Sequence, residues 1–198
     1  MVSRLVVLTP HNLRSTLVEI VEQHGDESPG VTVKLPTMNA PRAVSGRHLF
    51  TCLPLTDVGY LDLMAWMHPA SVPVVPGDRD GRLSASPALG PTEVRRSADP
   101  DSGYEVFEHV HRATGVTVAR RVLCRGVETR SWEVLDLGPE VHGHLPARIR
   151  AVRSESGLFT EFVRTTHPRP IPAAWFDRDI DYFMRAVDAE LSERARPT

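Results

Sequence analysis

Histidines are the first residues in this sequence whose types and spacing could do chemistry. His109 and His111 stand two apart in the run Tyr104-Glu105-Val106-Phe107-Glu108-His109-Val110-His111. On a strand, side chains two apart project to the same face, so both imidazoles could reach one metal ion. A second pair, His142 and His144, falls in a polar stretch farther on. Together the pairs would supply four ligands, as in a cupin, although the glycines that surround such a site are missing. The simpler reading leaves the first pair on a solvated strand face and the second in a turn, with no metal and no other cofactor. Phe107 shares the face of His109 and His111, so the pattern alone does not settle which side is wet.

Arginine offers a second chemistry. Arg121, Arg130, Arg148, Arg150 and Arg164 recur along the same half of the chain, near Glu128, Glu133 and Glu161. Their simplest role is a wet convex sheet face laced with cross-strand charge pairs. The functional alternative is that one guanidinium reaches inward to hold a ligand carboxylate or enolate. A third group is apolar: Tyr60, Met64, Trp66 and Met67, with His68 beside them. Methionine and tryptophan adapt to irregular apolar guests. Equally, they fill ordinary cores.

Several classes drop out. Gly-x-Ser-x-Gly, the P-loop and Gly-x-Gly-x-x-Gly are absent. Net charge is −2 and Lys34 is the only lysine, so neither nucleic acid nor an anionic membrane surface is the expected partner. Apolar residues make up 41% and charged residues 24%, the profile of a soluble globular protein. No stretch approaches a membrane span. The first residues lack the charge, apolar length and cleavage site of a signal peptide, so a cytoplasmic protein is expected. Cys52 and Cys124 lie far apart in sequence, with no metal or redox spacing, and free thiols are expected.

The elements that must position these residues are clearest in the second half. Strands are predicted over 104–111, 118–125, 127–137, 147–153 and 158–166, with turns at Arg112–Gly115, Arg125-Gly126, Gly138-Pro139 and Ser154–Gly157. Such regular spacing makes an antiparallel meander. Upstream, residues 3–9 and Val31–Leu35 read as strands, and Arg47–Leu55 as a further short one. Leu13–His24 fits a helix or a strand, the latter in a hairpin turning at Pro10-His11-Asn12. Pro36–Arg42 reads as a loop. Thr56 or Asp57 can cap a helix over Val58–Met67, apolar on most sides and suited to cover a sheet. Residues 69–102 are rich in Pro, Gly, Ser and Asp and read as a long connection. Asp177 can cap a final amphipathic helix carrying Ile180, Phe183, Met184, Val187 and Leu191 on one stripe. It could plug one end of the sheet or pair two copies into a homodimer.

With the meander in view, the order of residues is similar to a known superfamily. The segments Tyr104-Glu105-Val106-Phe107, Ala119-Arg120-Arg121, Trp132-Glu133-Val134-Leu135-Asp136-Leu137, Leu145-Pro146-Ala147-Arg148-Ile149, Thr160-Glu161-Phe162 and Ile171-Pro172-Ala173-Ala174-Trp175-Phe176 resemble LolA-like, outer-membrane lipoprotein-sorting proteins. The resemblance covers about residues 103–176. It implies a fold: α+β, mainly antiparallel β, a curved unclosed β-barrel with covering helices, here with a C-terminal amphipathic helix added. It also implies a space between sheet and helices that holds acyl chains. The expected organisation is one domain: 1–68 strands and covering helix, 69–102 loop, 103–176 meander, 177–195 helix. Two features depart from the family: no export signal is read, and the last helix is extra. They favour reuse of the cavity for another apolar molecule, such as a polyketide, terpenoid or lipid.

Two functions fit that cavity. One is binding of a hydrophobic small molecule or lipid. The other is a cofactor-free cyclase or isomerase of natural-product biosynthesis, which needs shape and a few donors more than a motif. The expected ligand-binding residues for either are Tyr60, Met64, Trp66, Met67, His68, Phe107, Trp132 and Phe162.

Overall fold

In the computed structural model, the described residues are 2–8, 11–22, 29–44, 46–53, 56–64, 72–73, 89–139, 146–164 and 171–194. They build two antiparallel sheets. The first orders its strands β1 (Val2–Val6), β2 (Leu17–Val21), β3 (Gly30–Lys34) and β4 (Arg42–Val44) as in the chain. The second holds β5 (Val72–Pro73), β6 (Thr92–Asp99), β7 (Tyr104–His111), β8 (Thr117–Cys124), β9 (Val127–Asp136), β10 (Arg148–Arg153) and β11 (Phe159–Val163), again each beside its sequence neighbour. That sheet is curved and open, with β5 and β11 as its edges.

Local chemistry explains the hairpins. Arg125 and Gly126 both have positive φ, 51° and 78°, the pairing that a two-residue type I′ turn requires between β8 and β9. In the first sheet, the Leu13–His24 ambiguity resolves in favour of a strand. Leu17, Val18 and Ile20 are buried there, and the turn back to β1 runs through a 3-10 segment at His11–Leu13.

The five meander strands stand where the sequence places them, within a residue or three at their ends. Three other expectations are corrected. Thr92–Asp99 lies inside the stretch read as a loop, yet all eight of its residues pair with β7. Its Thr-Glu-Val-Arg-Arg-Ser-Ala-Asp sequence has little apolar alternation, so only the ladder and the Arg96–Glu105 ion pair at 2.7 Å reveal it as a strand. The strand expected at Arg47–Leu55 is absent from its described residues, 47–53: Gly46–Phe50 forms a 3-10 turn, followed by an isolated bridge between Cys52 and Gly59. Arg42–Val44, expected at the end of a loop, is β4 and pairs with β3.

The final helix, α1, spans Ile180–Arg194. Its cap is Asp179 rather than Asp177, since Asp179 Oδ1 accepts the Tyr182 N–H at 2.7 Å. Phe183 is buried against Trp175 and Phe176 at ring distances of 6.1 and 5.8 Å. Arg4 of β1 reinforces the contact, donating to the Trp175 and Phe176 carbonyls at 2.8 and 3.2 Å. Part of the apolar stripe is therefore spent within the chain. Lys34 pairs with Asp181, tying α1 to β3.

One core serves both sheets. Val18, Ile20, Val31 and Val33 from the first share a cluster with Val106, Val118, Val122, Val134, Ile149 and Ala151 from the second. The joining residues are Phe50, Val58, Tyr60, Leu61, Leu63 and Met64.

Candidate functional site

Strand alternation and register define one face of the second sheet. Val106 opposes Val122, and Glu108 opposes Arg120. Arg120 in turn opposes Trp132, and Val122 opposes Arg130. Trp132 and Val134 meet Ala151 and Ile149, which meet Thr160 and Phe162. All these residues therefore project to one side, the side that carries the shared core.

The segment Thr56–Met64 covers that face. The helix expected over Val58–Met67 is a 3-10 turn at Tyr60–Leu63, and Met64 is already extended. The segment runs through the core instead of across its surface: Val58, Tyr60, Leu61, Leu63 and Met64 are all buried. Polar contacts set its local shape. The Gly59 N–H donates to Asp62 Oδ2 at 2.7 Å, closing the turn. Beyond that, Leu53 N–H bonds the Val58 carbonyl at 2.8 Å, and Cys52 bridges Gly59.

Beneath the turn lies a buried charge network. Arg120, Asp62 and Glu108 are 0% exposed, and Arg130 and Trp132 are 2%. Arg120 Nε and Nη2 donate to Glu108 Oε1 at 2.9 and 2.7 Å. Its Nη1 donates to the Leu61 carbonyl and lies 3.5 Å from Asp62 Oδ1. Arg130 Nη1 lies 2.8 Å from Asp62 Oδ2. Two carboxylates thus face two guanidiniums, a balance that a water-poor interior demands. The Arg120 guanidinium also stands 5.6 Å from the centre of the Trp132 ring. A Cβ at Gly59 would fall on the Arg130 guanidinium, so any larger residue there would displace Arg130 from Asp62.

A second anchor holds the other end of the cover. Asp57 Oδ1 lies 3.1 Å from Arg153 Nη2, and Asp57 Oδ2 accepts the Thr160 hydroxyl at 3.2 Å. The Asp57 N–H returns a bond to Thr160 Oγ1 at 3.0 Å.

Of the residues expected to bind a ligand, the structure brings together Tyr60, Met64, Trp132 and Phe162 at this core. Burial raises the Tyr60 phenol above its ordinary pKa. Phe107 does not join them. It alternates with Val106 and Glu108 and so projects from the opposite face, where Arg96 lies 5.9 Å from its ring centre. Trp66, Met67 and His68 lie outside the described residues.

His109 and His111 share the Phe107 side, as alternation expects. His109 is buried rather than solvated; its Nδ1 is 3.3 Å from Thr92 Oγ1, and its Nε2 has no hydrogen-bond partner. Burial lowers its pKa. His111 Nδ1 pairs with Thr114 Oγ1 at 2.9 Å. His142 and His144 lie outside the described residues, and no group of three or more potential ligands gathers among those described. Cys52 and Cys124 are free thiols.

Sequence reading missed Asp62, Glu108 and Arg120 as a unit. A signal existed: Arg120 interrupts the apolar series Val118, Val122 on one strand face, and Glu108 does the same between Val106 and Val110. Asp62 had no such signal, since its partners lie on other strands.

No family model matches the sequence, and no curated protein matches it. Solved structures do. A DUF1329 family protein from Desulfovibrio piger is 15% identical, with a TM-score of 0.58 over 81% of this chain and 67% of that one. A putative outer membrane lipoprotein-sorting protein domain from Vibrio parahaemolyticus is 13% identical, with a TM-score of 0.57 over 80% and 66%. A LolA superfamily protein from Nitrosomonas europaea is 14% identical, with a TM-score of 0.50 over 91% and 77%. This chain spans about two thirds of the length of the first two. What it shares with all three is architecture: the protein has a LolA-like fold.

Proposed function

We propose that the protein binds a hydrophobic small molecule or lipid against the inner face of the second sheet, in the place that Leu61, Leu63 and Met64 occupy when Thr56–Met64 is down. One observation carries this reading. An extended apolar face, running from Val106 to Phe162, is covered by a segment whose regular structure is a single 3-10 turn and one isolated bridge. Such a cover has no helix or ladder to dismantle; the burial of Val58, Tyr60, Leu61, Leu63 and Met64 that holds it is what an apolar guest would replace, and its polar contacts are few. The Vibrio parahaemolyticus neighbour, named for lipoprotein sorting, points in the same direction.

The cyclase or isomerase alternative would need a group free to move protons. The carboxylates on this face, Asp62 and Glu108, are both engaged by arginine. Binding therefore leads.

Native mass spectrometry of the purified protein, with a titration of the neutral fluorophore N-phenyl-1-naphthylamine, tests the reading. The expected result is saturable binding at one site per chain, weakened about tenfold by Ala151→Trp, which fills the space under the cover. Absence of both a co-purified apolar molecule and saturable fluorophore binding would overturn it.

A further inference from the structure

The buried network contains donors that nothing among the described residues satisfies. None of the three Arg130 guanidinium nitrogens makes a hydrogen bond of good geometry, although Nη1 faces Asp62 Oδ2 at 2.8 Å. Trp132 Nε1, two residues along the same face of β9, is likewise buried without a partner. Asp62 Oδ1 is orphaned as well. Buried polar groups are normally paired, so a cluster of orphans on one strand face calls for a reason.

Charge counting supplies one. Among the described residues, with the cover down, the carboxylates of Asp62 and Glu108 face the guanidiniums of Arg120 and Arg130, two against two. Glu108 belongs to β7 and stays with the sheet, where it already fills two of the Arg120 donors. Asp62 belongs to the cover and leaves with it. Two guanidiniums then face one carboxylate in an apolar setting. A neutral guest would leave the Arg130 charge without a carboxylate partner and so bind more weakly than a guest of equal length that brings one. A guest bringing one carboxylate restores the balance. A planar fork such as a guanidinium also engages a carboxylate through two parallel hydrogen bonds.

We propose that the Arg130 guanidinium, with the Trp132 indole N–H two residues along the same strand face, is the seat for the acidic head of the bound molecule, and that Asp62 holds that seat while the cover is down. The ligand class is a long-chain aliphatic monocarboxylate, its tail lying over Val122, Val134, Ile149 and Phe162. The inference rests on the binding reading given above and narrows it. Exchange of one carboxylate for the other couples head-group binding to release of the cover.

The test is competition between dodecanoate and dodecanol, matched in chain length, for displacement of N-phenyl-1-naphthylamine at pH 8. The wild-type protein is expected to bind dodecanoate at least about tenfold more tightly, a preference that charge-assisted pairing supplies. Arg130→Gln is expected to bring the two ligands within about twofold by weakening only dodecanoate. Trp132→Phe keeps the ring and removes the N–H; it is expected to lower dodecanoate affinity about threefold and leave dodecanol unchanged. Should Arg130→Gln fail to fold, the Trp132→Phe comparison and the wild-type preference decide the matter. Equal affinity of wild type for both ligands would overturn the head-group seat while leaving apolar binding intact. Displacement by neither would overturn both.

Discussion

Arg120 and Arg121 are adjacent in sequence and chemically identical, yet they live in different environments. Arg120 points to the inner face, fully buried, between Glu108, the Leu61 carbonyl and Asp62. Arg121 points to the outer face and pairs with Glu128 at 2.7 Å, a carboxylate that remains about a third exposed. The contrast extends along the sheet. On the inner face, Arg130 and Arg153 hold carboxylates of the cover, Asp62 and Asp57. On the outer face, Arg148 and Arg150 share Glu161 across the β10–β11 ladder, in water. One face uses charge to fasten a segment over an apolar surface; the other carries cross-strand pairs of graded exposure, from the buried Arg121 to the half-exposed Arg148. Buried pairs are costly to break because the surviving partner cannot be solvated, whereas exposed pairs are screened and nearly neutral.

The comparison can be broken most forcefully at Arg120. Arg120→Met alone is expected to cost about 3–5 kcal/mol in urea unfolding, since Glu108 would stay charged and buried. Pairing it with Glu108→Leu leaves Asp62 and Arg130 balanced. The double variant is expected to recover most of the loss; if it is as unstable as the single, the network is not balanced as described.

Asp57→Ala comes next. It removes two contacts at the more exposed anchor of the cover, with an expected loss of about 1.5–3 kcal/mol. Protease susceptibility should rise selectively around Thr56–Met64. A uniform rise across the chain would mean that Asp57 supports the whole fold and not the cover.

His109 sharpens the outer side, where it is buried alongside Phe107, Ala119 and Arg121. Its folded pKa lies below the ordinary value, so the unfolded chain binds its proton more readily. The stability it contributes is complete above the unfolded pKa of about 6.5 and declines as pH falls through the folded value. In His109→Gln, the stability loss between pH 7 and pH 5 is expected to be shallower than in the wild type. Identical slopes would show that another group controls that window.

Glu161→Gln should have the smallest effect. Hydrogen bonds from Arg148 and Arg150 hold the Glu161 carboxyl below its usual range, so its contribution is present above the ordinary carboxylate pKa and fades as pH falls through the lowered one. In thermal unfolding near neutral pH, the wild type and variant should differ slightly at low salt and not at all near molar salt. A salt-independent loss would place this pair with the buried ones.

Much of the fold was legible locally. The turns at Arg125-Gly126 and Ser154–Gly157, and the two-residue rhythm from Tyr104 to Phe162, required no tertiary information. Where local chemistry and environment diverged, the reading failed. Thr92–Asp99 looks like a polar connection until its eight-residue ladder with β7 is formed. Val58–Met67 has the apolar content of a helix; in the structure, Gly59, packed under Arg130, opens a 3-10 turn that ends by Met64.

What the sequence determined by itself is the alternation within each strand: that Arg120 and Arg121 project to opposite faces of β8, that Arg130 goes with Trp132 on β9, and that Arg148 goes with Arg150 on β10; the expected place of Arg130 on the wet face is corrected by its burial against Asp62. A strand's side-chain period is two whatever surrounds it. Which of those faces would be buried was beyond its reach, because burial depends on a segment some sixty residues upstream of Arg120, bringing Asp62 against the sheet. Only the tertiary structure decided that, and with it which arginines joined the buried network.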